Sequence, residues 1–251
     1  MRRLWWGFLR FFFRLLYNEC AWSYDAVAWA ASLGHWQAWG RTTIPYLQGK
    51  AVLEIGHGPG HLLAAMKDAG LKPVGLDLSP QMGRLARSRL RRAGAAFPLV
   101  RARAQRLPFR DGCFDSTVAT FPTEYILNPA TWQEVARVLR SSDGSDATAS
   151  TPPQGGRMVI AAWTRLTRRG LLPLVLAWLY RVTGQGEPAP GPDGLAAVDP
   201  WFTPQVVWQP VGPSQVMLVI ADKRVEPAKQ ARRRGTEAGS GTPGRTAVNA
   251  F

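Results

Sequence analysis

The chain has 251 residues, 46% of them apolar, which suits one α/β domain with additions at its ends. Its formal net charge of +14 at pH 7 means that acidic partners must be considered, although the abundance of arginine also fits a compositional bias. Its two cysteines, Cys20 and Cys113, lie far apart without His or Cys neighbours, so we expect a reducing cytoplasm, no disulfide framework and no metal. No apolar run reaches the ~20 residues of a spanning helix, and no nucleic-acid-binding module is evident, so neither a membrane span nor nucleic acid binding is predicted.

Residues 1–46 are rich in aromatic side chains and predict a helical cap or a membrane-surface segment. On a helix, Arg3, Arg10 and Arg14 form a narrow basic stripe, and aromatic and leucine side chains cover the rest. Such a helix suits an anionic membrane surface, which residues 1–17 would contact; the alternative is a helix that packs on the domain as a lid. We therefore expect a cytoplasmic protein, peripheral at the inner membrane face if the first alternative holds.

Residues 47–224 alternate apolar runs with helical stretches, the pattern of βα units and a parallel sheet. The strands are predicted at Ala51–Ile55, Pro73–Leu78, Phe97–Ala102, Phe114–Thr120 and Arg157–Trp163. The helices are predicted at His61–Ala69, Pro80–Ala93 and Pro129–Leu139. A closing antiparallel hairpin is predicted from Gln205–Gln209 and Val216–Asp222, which a Pro/Gly turn separates.

Three segments interrupt or follow this pattern. Residues 141–154 are of low complexity and predict a flexible loop. Residues 165–200 contain the apolar helix predicted at Leu171–Val182 and then a Pro/Gly-rich stretch. Residues 225–251 form a basic, Gly/Ser-rich tail with too little apolar content to fold alone, so we expect it to be disordered.

A glycine-rich turn follows the first strand directly. Gly56-His57-Gly58-Pro59-Gly60 joins that strand to a helix, and glycines there let a ligand approach the backbone closely, with helix N–H groups pointing at it. Asp77 ends the second strand, 21 residues after Gly56, and can accept hydrogen bonds from both ribose hydroxyls of an adenosine. Together the two features predict a nucleoside cofactor.

The residues around the turn distinguish between two such cofactors. The third glycine of a dinucleotide pattern is replaced by His61. Glu54 stands two residues before the first glycine, where a carboxylate would repel a pyrophosphate but suits a cofactor with an amino group. S-adenosylmethionine is therefore predicted as the cofactor, and an NAD-dependent dehydrogenase is the less favoured alternative.

These motifs occur in the order found in one enzyme family. Glu54-x-Gly56-x-Gly58-x-Gly60 resembles the first motif of class I S-adenosylmethionine-dependent methyltransferases of the type 11, or ubiquinone- and menaquinone-biosynthesis, kind, and Gly75–Met82 resembles the second. Residues 104–115 are similar to the family's adenine-side loop, and residues 134–140 and 155–157 to the elements before its fifth strand. The resemblance implies a Rossmann-like α/β fold: a mostly parallel seven-stranded sheet with helices on both faces and a C-terminal antiparallel hairpin.

The resemblance also implies roles for individual residues. Glu54 and the three glycines would hold the methionine part of the cofactor and Asp77 its ribose, while Thr120 would lie near the sulfonium. Leu78 and Met82 would flank the adenine, although both could equally be core residues. The implied cofactor-binding residues are Glu54, Gly56, Gly58, Gly60, Asp77, Leu78, Met82, Ala104, Gln105 and Thr120. Arg103 departs from the family, since many relatives have an acidic residue there.

Methyl transfer from a sulfonium is an in-line displacement, so the protein mainly positions a nucleophile and excludes water. A general base is required only for a poorly nucleophilic acceptor. The candidates are His57, His61, Glu124 and Tyr125, and the sequence does not choose among them. His57 lies inside the glycine turn, where shaping the turn is the favoured role.

The acceptor is read from two weaker features. Tyr24-Asp25 and residues 32–39 resemble the lead-in of methyltransferases that act on quinone precursors, which implies that Tyr24 is part of a lid over the cofactor. Residues 165–200 would then be a substrate-side insertion, or alternatively contain an ordinary core helix. We predict a small, hydrophobic, quinone- or lipid-like acceptor. The alternative function is a non-catalytic S-adenosylmethionine-binding protein at the membrane surface, and the oligomeric state is left open.

Overall fold

The computed structural model describes Ser32 and residues 34–141, 155–166 and 200–224. Its helices are α1 (Trp36–Arg41), α2 (His61–Asp68), α3 (Pro80–Arg92) and α4 (Pro129–Val138), with 3₁₀ helices at Ile44–Tyr46 and Glu124–Leu127. Its strands are β1 (Ala51–Ile55), β2 (Lys72–Asp77), β3 (Leu99–Arg101), β4 (Ser116–Thr120), β5 (Arg157–Leu166), β6 (Phe202–Val211) and β7 (Ser214–Lys223). The predicted helix within residues 1–17, Tyr24, residues 142–154, Leu171–Val182 and the tail from residue 225 lie outside the described residues.

The seven strands form one sheet in the order β3-β2-β1-β4-β5-β7-β6. The first five strands in this order run parallel, whereas β7 is antiparallel to both of its neighbours. The strand order reverses direction at β1, which pairs with β2 on one side and β4 on the other. This is the mixed sheet with a closing hairpin that the sequence predicts, and its switch point lies at the end of β1, where α/β sheets bind ligands.

Helices cover both faces of the sheet. Val52 packs with Leu63 of α2 in one buried cluster, whereas its neighbour Leu53 packs with Trp132 of α4 in another. Successive strand residues point to opposite faces, so this alternation places α2 and α4 on opposite sides of β1. β1 is therefore buried on both faces, and the glycine turn follows its carboxyl end.

Every strand except β1 differs in its limits from the predicted one, and three of these differences have a clear structural reason. The predicted strand Phe97–Ala102 is only β3, an edge strand that pairs with β2 at three positions. The predicted Gln205–Gln209 extends to the whole of β6, including Pro204 and Pro210, because an edge strand tolerates residues that cannot donate on both sides. The predicted Arg157–Trp163 continues through a register shift between Ala161 and Trp163 to Leu166, because β7 keeps pairing with β5 beyond the end of β4.

The region before the sheet packs against it. Trp39 of α1 is 3% exposed, lies in a cluster with Ala161 and Val216, and donates its indole N–H to Ser214 Oγ at 2.8 Å. Residues 36–46 are thus part of the folded unit, although the sequence places the start of the domain at residue 47. In the part of the chain that the structure describes, no helix has the length and apolar character needed to cross a bilayer.

Candidate active site

α3 and α4 both begin with a capping side chain followed by proline, and the start of α3 lies at the candidate active site. Ser79 accepts a hydrogen bond from Met82 N at 3.3 Å, and Asn128 accepts one from Ala130 N at 2.9 Å, each with a proline following as the first helical residue. Ser79, which caps α3, follows Asp77 by two residues. The N-terminus of α3 therefore lies beside the carboxylate that ends β2.

The glycine turn between β1 and α2 is held by that carboxylate. Asp77 Oδ2 accepts a hydrogen bond from Gly58 N at 2.9 Å, and Asp77 Oδ1 accepts one from Ser79 N at 2.8 Å. Gly58 has φ +51°, a conformation that favours glycine, and a Cβ built on it would meet no atom within 4 Å. The backbone of the turn thus faces open space directly across from Asp77.

Glu54 lies beneath this turn in an unusual state. Its side chain is 1% exposed, and its Oε2 atom has no hydrogen-bond partner in the described part of the chain. Burial raises the pKa of Glu54 well above its usual range, and the negative charge of Asp77 raises it further. Leaving a buried acceptor unsatisfied costs about 1–3 kcal/mol, so this oxygen fits a ligand that brings a donor, above all a cationic amino group.

His57 shapes the turn rather than projecting from it. The ring is 3% exposed, and its Nδ1 lies 2.6 Å from Gly58 O, so Nδ1 carries the proton and donates it. Burial lowers the pKa of His57, while the charge of Asp77 acts in the opposite direction. A Cβ on Gly75 would lie 2.9 Å from His57 Cδ2, so the ring also fills the space above β2.

The loop that carries Ala104 and Gln105 is tied to α4 by an ion pair. Glu134 Oε2 accepts a hydrogen bond from Leu107 N at 2.7 Å, and Arg137 donates to Leu107 O at 2.9 Å and to Phe109 O at 2.8 Å. The Arg137 guanidinium also binds Glu134 at 2.8 Å, and this bond lowers the pKa of Glu134. Glu134 and Arg137, both on α4, therefore hold this loop in position.

These elements surround a cavity of about 670 Å³ at the carboxyl ends of the strands. Eight of the ten cofactor-binding residues that the resemblance implies line it: Glu54, Gly56, Gly58, Asp77, Leu78, Ala104, Gln105 and Thr120. Gly60 and Met82 do not. A Cβ on Gly60 would lie 2.8 Å from Ala86 Cβ, so Gly60 lets α2 and α3 approach, and Met82 is fully buried. Leu78, by contrast, is 52% exposed at the rim.

Glu54, the glycine turn at 56–58 and Asp77 form what we call the carboxylate side of the cavity. Another part of the lining, which we call the aromatic side, consists of Trp36, Phe121 and Tyr125. The rings of Trp36 and Phe121 pack with centroids 4.7 Å apart, and those of Trp39 and Phe121 with centroids 6.0 Å apart. The sequence offers Tyr125 as a candidate but not the Trp36–Phe121 pair, because that contact joins two distant segments.

The backbone of Phe121 is strained in order to present its ring. Phe121 has φ +47°, and it is the one residue other than glycine with a positive φ in the described part of the chain. Such a conformation costs of order 1–3 kcal/mol and is concentrated at functional sites. The N–H of Phe121 donates to Ala161 O at 2.7 Å, which holds the chain in this turn at the end of β4.

The candidate general bases differ in what they can do. Tyr125 donates its hydroxyl hydrogen to Ile55 O at 3.0 Å, across the glycine turn, and a Cβ on Gly56 would lie 2.8 Å from that hydroxyl. His57 donates through Nδ1, as described above. Glu124 is exposed and lines the cavity, as does His61. No group of three or more His, Cys, Asp or Glu side chains that could hold a metal is found in the described ranges.

Known proteins resemble this chain in sequence and in fold. Residues 52–142 match the model of a family described as a methyltransferase domain. An uncharacterized methyltransferase of Mycolicibacterium gilvum is 34% identical, over 41% of this chain and 40% of its own. A demethylmenaquinone methyltransferase of Beutenbergia cavernae is 32% identical, over 59% of this chain and 57% of its own. The matches thus span about half of these relatives or less.

A solved structure extends the likeness over most of the chain. The structure of a putative S-adenosyl-L-methionine-dependent methyltransferase from Methanococcus maripaludis superposes with a TM-score of 0.59. It is 16% identical in sequence and covers 84% of this chain and 96% of its own. At this identity the likeness concerns the fold alone, and it confirms the fold class that the motifs imply.

Proposed function

We propose that this chain, whose residues 52–142 match a methyltransferase-domain family, is a class I S-adenosylmethionine-dependent methyltransferase that transfers a methyl group to a small, apolar, quinone- or lipid-like acceptor. The single observation that carries the proposal is the buried, unpartnered carboxylate oxygen of Glu54 beneath the glycine turn. A cofactor with a cationic amino group satisfies this oxygen, whereas the pyrophosphate of a dinucleotide is repelled by it. The same residue therefore disfavours the NAD-dependent alternative.

The other cofactor contacts follow from the residues that line the cavity. Asp77 is free to accept further hydrogen bonds from ribose hydroxyls, since each carboxylate oxygen accepts more than one. The exposed side chain of Leu78 offers an apolar surface for the adenine. Ala104 and Gln105, in the loop that Arg137 holds, would contact the edge of the adenine ring. When bound, S-adenosylmethionine supplies a methyl group on a sulfonium, which an acceptor atom can displace in line.

The aromatic side supports an apolar acceptor. Trp36 and Phe121 present packed rings, a surface that suits a planar or hydrocarbon group and excludes water. The relative from Beutenbergia cavernae is a demethylmenaquinone methyltransferase, which favours a quinone-like acceptor within this class. Thr120, the last residue of β4, also lines the cavity. We assign no general base, because positioning of the acceptor and exclusion of water are enough for the transfer. Glu124 is an exposed carboxylate three residues after Phe121 of the aromatic side.

The same proposal includes the place where the chain works. An apolar acceptor dissolves in lipid, so we propose a cytoplasmic protein that meets the inner membrane face, with residues 1–17 as one contact. Liposome co-sedimentation of the full chain against a chain that starts at Asn18 tests this contact. Equal binding by the two proteins would contradict it.

Gly58→Ala tests the cofactor assignment. Gly58 and Gly70 both have a positive φ, and a Cβ on either would meet no atom within 4 Å, but only Gly58 lines the cavity. Both substitutions carry the same backbone strain, so Gly70→Ala is the matched control. We expect Gly58→Ala to abolish calorimetric binding of S-adenosylhomocysteine, while Gly70→Ala retains it.

Two further outcomes would contradict the proposal. One is tighter binding of NAD than of S-adenosylhomocysteine by the unmodified chain. The other is a failure to transfer labelled methyl groups from S-adenosylmethionine to a demethylated naphthoquinol or to any component of a cell lipid extract. The second outcome, with cofactor binding intact, would instead favour the non-catalytic binding protein.

A further inference from the structure

One edge of the molecule concentrates positive charge. Between Asp77 and Asp111 the chain has nine arginines and no Asp, Glu or Lys. They are Arg84, Arg87, Arg89, Arg91, Arg92, Arg101, Arg103, Arg106 and Arg110. This segment, residues 78–110, comprises α3, the edge strand β3 and the loop after it, and we call it the arginine edge. A charge of one sign over one side of a molecule is a field that attracts an anionic partner.

The helix of the arginine edge has two distinct faces. Met82, Ala86 and Leu90 are buried, four residues apart, whereas Arg84 and Arg91 are exposed on the opposite face with Arg87 between them. The ion pairs within the described ranges are made by Arg137, Arg140 and Arg157, so none neutralises this face. The outward face of α3 is therefore a row of solvated guanidinium groups.

The arginine edge reaches the mouth of the cavity. Arg101 and Arg103 line the cavity, and Arg101 Nε donates to Leu78 O at 3.0 Å. Leu78 is 52% exposed, and Leu127 is 60% exposed in the 3₁₀ helix that includes the cavity-lining Glu124 and Tyr125. The exposed Leu78 and two arginines thus border the same opening, and Leu127 lies in a 3₁₀ helix that contributes to its lining.

This combination distinguishes between two anionic partners. Single-stranded nucleic acid is bound by exposed aromatic rings interleaved with basic groups. The two aromatic residues of the arginine edge, Phe97 and Phe109, instead pack against the buried clusters. Exposed aliphatic side chains beside arginines fit the interface of an anionic bilayer, which takes the leucines into its acyl boundary and the guanidinium groups among its headgroups.

We propose that the arginine edge docks this protein on an anionic lipid bilayer and turns the mouth of the cavity toward it. The proposal deepens the proposed function, on which it rests, because an apolar acceptor can then enter the cavity from the bilayer without crossing water. The surface involves described residues only and is separate from the contact proposed for residues 1–17.

Arg84→Gln with Arg91→Gln tests the surface in the full chain. The matched control is Lys50→Gln with Lys72→Gln, which removes two exposed charges from the amino ends of β1 and β2, away from the cavity. Binding is measured by co-sedimentation with vesicles of equimolar phosphatidylcholine and phosphatidylglycerol, and with vesicles of phosphatidylcholine alone. A basic residue at an anionic surface contributes about fivefold, so we expect the arginine pair to weaken binding at least about tenfold and the lysine pair less than about twofold.

Three results would overturn the docking proposal. They are equal loss in the two double variants, equal binding of the unmodified chain to both vesicle types, and displacement of the protein from the anionic vesicles by an oligonucleotide at equal charge concentration. S-adenosylhomocysteine affinity, measured on the same proteins, separates this test from the proposed function, since neither pair lines the cavity. If that ligand fails to bind any of the proteins, the proposed function is wrong, whatever the vesicles show.

Discussion

The carboxylate side and the aromatic side of the cavity are built by different means. On the carboxylate side, hydrogen bonds join residues close in sequence: Gly58 and Asp77 are 19 positions apart, and Asp77 and Ser79 two. On the aromatic side, Tyr125 is bonded to Ile55 from 70 positions away, and Trp39, which packs on Phe121, is bonded to Ser214 from 175 positions away. A local motif is enough to define the carboxylate side, whereas the aromatic side forms only after the strands of the sheet have paired.

Asp77→Ala is expected to have the largest effect and to fall on one side only. It removes a carboxylate that holds the glycine turn and that we propose binds the ribose, and two charge-assisted hydrogen bonds are together worth a few kcal/mol. We expect S-adenosylhomocysteine affinity, measured by calorimetry, to fall on the order of a hundredfold. Asp77→Asn, which keeps the shape of the side chain, guards against misfolding, and Asp68→Ala on α2 is the exposed control. Unchanged affinity in both Asp77 variants would show the site assignment to be wrong.

Trp36→Ala should give the opposite pattern with a smaller effect. Aromatic pairs contribute about 0.5–1.5 kcal/mol beyond burial, so the KM for a demethylated quinol should rise up to about tenfold. The affinity for S-adenosylhomocysteine should stay within about twofold, because Trp36 belongs to the aromatic side. Trp208→Ala removes an indole from β6, outside the cavity lining, where it lies 4.1 Å below the Arg165 guanidinium. If Trp36→Ala weakened cofactor binding as much as quinol binding, the two sides would not be separable.

The smallest expected effect is a pH dependence of stability and of ligand affinity that arises from Glu54. It tests the carboxylate side alone, in the chain without its cofactor. Because burial raises the pKa of Glu54, the folded state retains a proton that the unfolded state releases above the ordinary value of 4.5. The stability that this protonation contributes is full below 4.5 and falls as pH rises through the folded pKa. Over the same interval S-adenosylhomocysteine should bind more tightly, since ionised Glu54 attracts its amino group.

Glu54→Gln should remove both slopes, as followed by thermal unfolding and by calorimetry across that pH range. Glu124→Gln changes an exposed carboxylate of the same cavity and is the control for nonspecific charge effects. Retention of the slopes in Glu54→Gln would assign them to another group. Reversal of the slope of unfolding would contradict the raised pKa itself.

Sequence reasoning reached the fold and the cofactor class because their signals are local. The alternation of strands and helices predicts the parallel sheet that the structure shows. Residues 52–142 match the model of a methyltransferase-domain family, in agreement with what the glycine turn, Glu54 and Asp77 indicate. The burial of Met82 was predictable, since Met82, Ala86 and Leu90 follow one another at intervals of four residues, which marks the inward face of α3. The roles of the individual cofactor residues stay predictions, to which the variants above are addressed.

The rest of the site could not be predicted because it depends on tertiary packing. Nothing in the residues around Trp36 or Phe121 indicates that their rings meet. The contact forms only when α1 packs on β5 and β7 and buries its Trp39 there. The same holds for Arg137, which resembles an ordinary surface residue of a helix until the loop before β4 folds against it. Residues that position others from a distance leave little trace in a single sequence.

The left-handed backbone of Phe121 has a consequence for how this protein can change. At φ +47° the backbone favours glycine or asparagine, whereas the packing of the ring on Trp36 and Trp39 favours phenylalanine. Selection for a relaxed main chain and selection for an intact aromatic wall thus oppose each other at one position. A substitution of Phe121 by glycine would relax the main chain, and under the proposed function it would also change the surface that meets the acceptor.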